Sequence, residues 1–121
     1  MEEKITDQNI YSREEFSALL STHPAVLAYF STPDCSVCKV LKPKVKELLA
    51  SDFPEVRFVY IDCIQHPDIA AQQNVFAVPT IVVFFDGRET IRKSRSFGIG
   101  ELHDSLVRPY QLLFDTEISN S

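Results

Sequence analysis

Apolar and polar positions along the chain form blocks that predict at least three strands. Ala25–Phe30 and Thr80–Phe85 are continuous apolar runs, and short runs of this kind are typical of strands buried on both faces. Val56–Asp62 alternates in polarity and ends in an acid, which is the pattern of a strand. A further short strand is predicted near Ile5–Tyr11, so these segments together favour a sheet.

Two helices are predicted in the first half of the chain. Ser12 and Glu15 form a capping-box pattern, which opens a helix that ends near His23. Residues 36–50 have the apolar period of a second helix, and Pro43 inside this segment removes one hydrogen bond and is expected to kink it. The apolar stripe of the second helix consists of Val37, Val40, Leu41, Val45, Leu48 and Leu49.

The second half of the chain predicts two more helices and a hairpin. Pro67 suits the first turn of a short helix. Asp86-Gly87 is a two-residue hairpin signal, and the more polar strand after it, at about Glu89–Ser94, has the character of a sheet edge. A last helix is predicted to begin near Gly100, and Pro109 is expected to kink or end it.

This order of elements predicts an α/β fold with a central mixed β-sheet. Strand–helix–strand crossovers place parallel strands side by side, whereas a two-residue turn pairs two strands antiparallel. Helices are then expected on both faces of the sheet. A chain of 121 residues suits one domain, which we place at residues 1–115, with residues 116–121 as a flexible tail.

Composition and charge disfavour several classes of function. Seventeen acidic and twelve basic side chains give a formal charge of −5, which argues against nucleic acid or an anionic membrane as the main partner. The first residues lack the apolar run that a secretory signal needs, and the apolar runs elsewhere are too short to span a bilayer. We therefore expect a cytoplasmic monomer without a bound cofactor.

The cysteines are the strongest chemical signal. Three are present, and in a reducing compartment paired cysteines favour metal or redox chemistry over structural disulfides. Cys35-Ser36-Val37-Cys38 follows a buried strand and opens a helix, where unpaired N–H groups and the helix dipole stabilise a thiolate. We predict that Cys35, nearer the helix end, is the nucleophile, and that Cys38, one turn further in, resolves the mixed disulfide.

Two alternatives to redox chemistry remain open. A structural zinc site needs four ligands, usually as two such cysteine pairs. The other residues that could bind zinc form no second pair of this kind. They are Cys63, His23, His66 and His103. Two plain structural cysteines at a helix start are the other alternative. We expect no metal site.

Several further segments match the spacing of a known family. They are the strand Val26–Phe30 before C-S-V-C-K, Pro43, the strand that ends at Asp62, Val78-Pro79-Thr80, Asp86-Gly87 and Phe97-Gly98. The C-x-x-C and V-P-T pieces at this spacing are far more specific together than alone. Through them, residues 25–98 resemble thioredoxin.

The resemblance implies a thioredoxin fold and a substrate groove beside the cysteines. It implies that Pro79 is a cis-proline packed beside the disulfide and that the backbone of Val78 is open to an extended substrate segment. Val37 and Phe97, with the adjacent Gly98, complete the implied substrate-binding set. The implied partners are protein disulfides as substrates and a thiol reductase as electron donor.

Several positions depart from the family pattern. Asp34, Ser36 and Val37 replace the Trp, Gly and Pro of the family's W-C-G-P-C active site. Tyr29 stands where the family has a buried acid, six residues before the first cysteine, and Phe58 replaces the lysine beside it. The usual proton acceptor for the resolving thiol is therefore missing, and a water molecule, or the Tyr29 hydroxyl as a relay, would have to serve.

The leading hypothesis is a protein disulfide reductase that cycles between the Cys35–Cys38 dithiol and disulfide. A binding module of the same fold, which holds a partner without turnover, is the alternative. The presence of both cysteines favours the enzyme because an adaptor needs neither. Cys63 lies just past a predicted strand, away from these motifs, and we expect it to be a half-buried apolar residue without a redox role.

Overall fold

A mixed five-stranded sheet forms the centre of the computed structural model, which describes residues 7–95 and 97–114. Its strands are β1 Asp7–Asn9, β2 Ala25–Ser31, β3 Arg57–Asp62, β4 Thr80–Phe85 and β5 Arg88–Ser94. They lie in the order β1-β3-β2-β4-β5. β1, β3 and β2 are parallel, and β4 is antiparallel to both β2 and β5.

Two helices cover each face of the sheet. The helices are α1 Arg13–Thr22, α2 Ser36–Asp52, α3 Pro67–Gln72 and α4 Ile99–Phe114. Buried residues of α2 and α4 pack in one core cluster with one side of the strands, and those of α1 and α3 pack in a second cluster with the other side. The predicted α/β fold, a mixed sheet with helices on both faces, is therefore confirmed. No helix among the described residues has the length and apolar character that crossing a membrane requires.

The central strand β2 connects the two clusters and leads into the cysteine motif. All seven of its residues are buried, as a strand with helices on both sides requires. Successive side chains point to opposite faces, so that Leu27 and Tyr29 lie in the α2–α4 cluster and Val26, Ala28 and Phe30 lie in the other. The strand ends at Ser31, and a short loop then carries the chain into α2.

Local sequence signals account for two of the element boundaries. The Ser12 hydroxyl accepts a hydrogen bond from the Glu15 N–H at 3.0 Å, while Glu15 Oε1 accepts one from the Tyr11 N–H at 2.9 Å. The capping box is thus confirmed at the start of α1. Asp86 and Gly87 have φ values of 55° and 78°, which is the backbone of the predicted hairpin turn.

The structure corrects two sequence predictions about the helices. α4 does not end at Pro109 but continues to Phe114, because its residues on both sides of the proline, Leu106 and Tyr110, are buried in the core and hold the helix together. The kink expected at Pro109 stays a prediction. In α2, Val37 and Val40 are not part of the core, since their exposed fractions are 59% and 60%. The buried residues of α2 are Cys38, Val45 and Leu49.

Some predictions fall at or beyond the limits of the described residues. The tail at residues 116–121 lies outside them, and so does the first part of the strand predicted near Ile5–Tyr11. The domain limits of 1–115 stay a prediction for the same reason. α2 contains Pro43, and the kink expected there also stays a prediction.

Candidate active site

The first turn of α2 holds Cys35 and Cys38 at different depths. Cys35 is the N-cap residue of the helix, and its N–H donates to the Thr32 carbonyl oxygen at 3.2 Å. The two cysteines form a disulfide, with their Cα atoms 5.2 Å apart. Cys35 is half-buried, whereas the exposed fraction of Cys38 is 2%. Cys35 is therefore the more exposed of the two residues, and Cys38 lies behind it.

The helix start also provides the electrostatic environment for a thiolate. The Cys38 N–H donates to Cys35 Sγ at 3.1 Å, and this N–H is one of those at a helix start that have no partner within the helix. A hydrogen bond to the charged form and the positive end of the helix dipole both stabilise a thiolate over a thiol. The carboxylate of the adjacent Asp34 accepts a hydrogen bond from Thr32 Oγ1 at 3.1 Å.

A groove of about 620 Å³ opens beside Cys35. It is lined by Cys35, Ser36, Val37, Leu41, Val78, Pro79, Arg95 and Phe97. Four residues of the predicted substrate-binding set, Val37, Val78, Pro79 and Phe97, thus lie together with Cys35. Gly98, the fifth, is exposed next to Phe97 and is not part of the lining. The Val78–Pro79 peptide bond is cis, as the resemblance implied.

Tyr29 lies beneath the cysteines in place of an acid. Its side chain is fully buried, and its hydroxyl donates to the Cys38 carbonyl oxygen at 2.8 Å. Burial raises the pKa of the Tyr29 phenol, and the nearby Tyr60 raises it further. The phenol therefore keeps its proton and acts as a hydrogen-bond donor to the backbone. It does not replace the family's acid as a proton acceptor for the Cys38 thiol.

Aromatic rings complete the surroundings of Tyr29. Its ring centroid lies 5.6 Å from that of Phe58 and 6.4 Å from that of Tyr60, and Lys42 Nζ lies 4.4 Å from the Tyr60 centroid. Phe58 is 1% exposed. The two positions that hold an acid and a lysine in the family thus hold two packed rings here.

Comparison with known proteins identifies the family. The Thioredoxin family model matches residues 7–106. The chain belongs to the thioredoxin family. The thioredoxin-like protein YdfQ of Bacillus subtilis is 30% identical over 103 residues, which cover 85% of this chain and 91% of the relative. Thioredoxin-2 of Pyricularia oryzae is 34% identical over 86 residues, which cover 71% of this chain, and the chain spans 50% of the length of that protein.

A solved structure agrees with this result. A mutant thioredoxin from Halobacterium salinarum superposes with a TM-score of 0.76 at 26% identity, covering 86% of this chain and 89% of that chain. Family membership and the Cys35–Cys38 disulfide together make this thioredoxin-family protein a thiol–disulfide oxidoreductase.

Sequence reasoning did not assign Leu41 or Arg95 to the site of this thioredoxin-family protein. Leu41 follows Val37 by four residues on α2, and side chains at that spacing share a helix face. Arg95 follows β5, and its N–H donates to the Pro79 carbonyl oxygen at 2.7 Å. The predicted hairpin could have indicated Arg95. Pairing of its two strands puts Ser94 opposite Thr80, and Arg95, the next residue, therefore lies beside Pro79.

Cys63 lies in a separate environment next to the active-site groove. It directly follows β3, its N–H donates to the Ser31 carbonyl oxygen at 2.9 Å, and its side chain is half-buried. It lines a second groove of about 330 Å³ that shares Val78 with the first. Burial, followed by the charge of Asp62, raises the pKa of Cys63 to about 11.

The histidines are dispersed over the thioredoxin fold. His66 is the N-cap residue of α3, and the ring of His103 lies 3.5 Å from Asp52 and 3.1 Å from Asp104. In the part of the chain that the structure describes, no three His, Cys, Asp or Glu side chains are grouped as a metal ion would require.

Proposed function

We propose that this protein reduces disulfide bonds of other proteins, with Cys35 as nucleophile and Cys38 as resolving cysteine. The observation that carries the proposal is the difference in depth between the two sulfurs at the start of α2. Cys35 lines the groove and receives an N–H hydrogen bond, whereas Cys38 is 2% exposed directly behind it. An attacking thiolate and a protected resolving thiol are the two components of disulfide exchange.

The cycle transfers two electrons to the substrate. The Cys35 thiolate attacks one sulfur of the substrate disulfide, the substrate S–S bond breaks, and the leaving thiolate takes a proton from water. The Cys38 thiol then loses its proton to solvent, and the resulting thiolate attacks Cys35 Sγ. The Cys35–substrate bond breaks, and the second substrate sulfur leaves as a thiolate that takes a proton from water. The protein is left with the Cys35–Cys38 disulfide, which is the state of the structure.

Each predicted substrate-binding residue has a role in the groove. Val37 and Phe97 supply apolar contact area for the residues that flank a substrate cysteine. The backbone of Val78, before Pro79, pairs with an extended substrate segment as an added strand, with Gly98 at the rim. A thiol reductase returns the disulfide to the dithiol, and the cytoplasm is the compartment in which such a reductant is present.

A trapping experiment tests the assignment of the two cysteines. Cys38→Ser leaves the nucleophile without its resolving partner, so the protein should accumulate a mixed disulfide between Cys35 and insulin. Non-reducing electrophoresis and mass spectrometry would identify the linked cysteine. Cys38→Ser combined with Cys63→Ser should trap the same adduct, which excludes Cys63 as its source.

Two results would contradict the proposal. If Cys35→Ser accumulates the adduct and Cys38→Ser does not, the roles of the cysteines are reversed. If the parent protein with dithiothreitol reduces insulin no faster than dithiothreitol alone, the fold serves as a binding module without turnover. The second result is disfavoured because a module that only binds a partner requires neither Cys35 nor Cys38.

A further inference from the structure

Arg95 brings a positive charge to the groove beside Cys35. The other described residues that line this groove are uncharged. Arg95 is exposed, and it follows β5 with a backbone φ of 62°. Its N–H donates to the Pro79 carbonyl oxygen at 2.7 Å. This bond holds the residue next to Val78-Pro79, the segment along which an extended substrate would pair.

Two cations on β5, Arg92 and Lys93, have acidic partners, whereas Arg95 has none within residues 7–95 and 97–114. Arg92 Nε lies 2.7 Å from a carboxylate oxygen of Glu89, and Lys93 Nζ lies 2.8 Å from one of Glu101. Arg95 forms no ion pair with any of these described residues. Its guanidinium can therefore meet an acid that comes from outside the protein.

We propose that Arg95 is a specificity-determining residue, which selects disulfide substrates whose cysteine is flanked by acidic residues. This inference rests on the proposed function, since it concerns which protein disulfides enter the same groove. The occupant is an extended peptide segment. Its apolar residues contact Val37 and Phe97, and a glutamate or aspartate near its cysteine pairs with Arg95. A guanidinium suits this role because its planar set of donors matches a carboxylate.

The formal charge of the whole chain, −5, acts in the opposite direction. Charges in solvent are screened beyond about 8 Å at physiological ionic strength, so distant acids contribute little at the groove. Asp34, the acid next to Cys35 in the chain, does not line the groove. Among the described residues that line the groove, Arg95 is the charged one, and we therefore assign the preference to it.

The test compares three synthetic disulfide-bonded peptides of equal length. The residues on both sides of the cysteine are glutamate in the first, glutamine in the second and lysine in the third. The parent protein should reduce the glutamate peptide with a kcat/KM about two- to fivefold above that of the glutamine peptide, which is the size of one exposed ion pair. The lysine peptide should be slower than the glutamine peptide. Raising the salt concentration should bring the three values together.

Charge reversal at Arg95 provides the decisive variant. Arg95→Glu should make the lysine peptide the preferred one, so that the ratio of glutamate to lysine kcat/KM falls by about tenfold or more. The ratio is the readout because a change in the reactivity of Cys35 would affect all three peptides equally. Arg95→Gln should remove the preference without reversing it. It also serves as a second variant if Arg95→Glu does not fold.

Arg88→Glu is the matched control. Arg88 is an exposed arginine at the other end of β5, roughly 20 Å away along the strand, and it does not line the groove. The control should leave the ratio unchanged although it alters the net charge of the protein by the same amount.

Three outcomes would overturn the inference alone, and a fourth would overturn the proposed function together with it. The inference fails if the parent protein reduces the glutamate and lysine peptides equally well. It also fails if the Arg95 variants keep the parent ratio, or if Arg88→Glu shifts the ratio as much as Arg95→Glu. If the parent protein reduces none of the three peptides faster than the chemical reductant, the proposed function is wrong, and the inference fails with it.

Discussion

Cys35 and Cys63 both follow a strand of the central sheet, but the backbone around them is arranged in opposite ways. After β2 the chain turns into α2, and the Cys38 N–H points at the Cys35 sulfur over 3.1 Å. After β3 the N–H groups of the turn point elsewhere, because those of Ile64 and Gln65 donate to Asp62 Oδ1 at 2.9 and 3.3 Å. The N–H groups of Ile64 and Gln65 are thus directed to Asp62 and away from Cys63, whose thiolate is favoured only by a smaller contribution from the backbone of Ser31.

The consequence is a difference in thiol chemistry between residues of the same type. A helix start favours the charged form of Cys35. At Cys63, burial and the neighbouring carboxylate disfavour the charged form and raise the pKa to about 11. Burial is the largest cause of the raised pKa of Cys63, so depth in the protein and the direction of nearby N–H groups together distinguish the environments of the two cysteines.

The largest expected effect comes from the same substitution at both cysteines. Cys35→Ser should lower insulin reduction to the rate of the chemical reductant alone, because no other thiolate lines the groove in the described part of the chain. Cys63→Ser should keep the rate within about twofold of the parent. A turbidity assay with dithiothreitol measures both.

Either variant could contradict the expected contrast between a reactive Cys35 and an unreactive Cys63. A loss of more than about tenfold in Cys63→Ser, or roughly 1.4 kcal/mol of barrier, would mean that Cys63 takes part in turnover. Residual turnover in Cys35→Ser would mean that Cys38 or Cys63 can serve as nucleophile. Circular dichroism of each variant confirms that the fold is kept.

A second prediction concerns the pH dependence of Cys63. In the oxidised protein Cys63 is the free cysteine, so iodoacetamide labels it alone. The rise in pKa from 9.0 to about 11 leaves about 100-fold less thiolate at pH 8 than an unperturbed cysteine would have. The labelling rate should therefore rise about tenfold for each pH unit and level off near pH 11.

The unfolded protein is the control for this measurement. In urea, with the disulfide intact, the labelling rate of Cys63 should reach half of its maximum at the pH of an ordinary thiol, which is its midpoint. The control separates the pKa shift from steric shielding, because shielding lowers the labelling rate without moving the midpoint. The folded protein binds the Cys63 proton more tightly than the unfolded protein does. This tighter proton binding stabilises the folded state below about pH 9, and the stabilisation is lost as the pH rises through about 11. Equal midpoints in the folded and unfolded protein would refute the assigned environment.

Much of the fold was predictable because it follows from local patterns. β4 occupies the predicted Thr80–Phe85, and β2 extends the predicted Ala25–Phe30 by one residue. A strand covered by helices on both faces must be apolar throughout, and the short length of the run and its flanking prolines favour a strand over a buried helix. The cysteine motif was located correctly for a similar reason, since a helix start directly after a buried strand is visible in the sequence.

The remaining features depend on contacts between distant segments. Pro109 predicts a kink or the end of a helix, and burial of Leu106 and Tyr110 on either side outweighs the lost hydrogen bond, so that the helix does not end there. Val37 and Val40 fit the period of a core stripe and instead lie on the surface, because apolar period alone does not distinguish a core from a binding surface. Arg95 joins the groove only through the pairing of β4 with β5.

The last prediction, with the smallest effect, concerns the hydrogen bonds that hold the turns around Cys38 and Cys63. The Cys63 turn is held by the carboxylate of the half-buried Asp62, whereas the Cys38 carbonyl is held by the buried hydroxyl of Tyr29 at 2.8 Å. Tyr29→Phe removes one oxygen atom and leaves the ring packing in place. It should lower the free energy of unfolding of the oxidised protein by about 1 kcal/mol, the usual contribution of one neutral hydrogen bond.

Tyr60→Phe is the matched control for Tyr29→Phe. The Tyr60 ring stacks on that of Tyr29 and lies under Lys42, and the phenylalanine ring keeps both contacts, so the free energy of unfolding should change by less than about 0.5 kcal/mol. Urea unfolding of the oxidised forms measures both variants. Equal losses in the two variants would show that the hydroxyl of Tyr29 contributes nothing specific to the Cys35–Cys38 turn. A loss confined to Tyr29→Phe would show that a buried phenol anchors this turn at the position where the family places an acid.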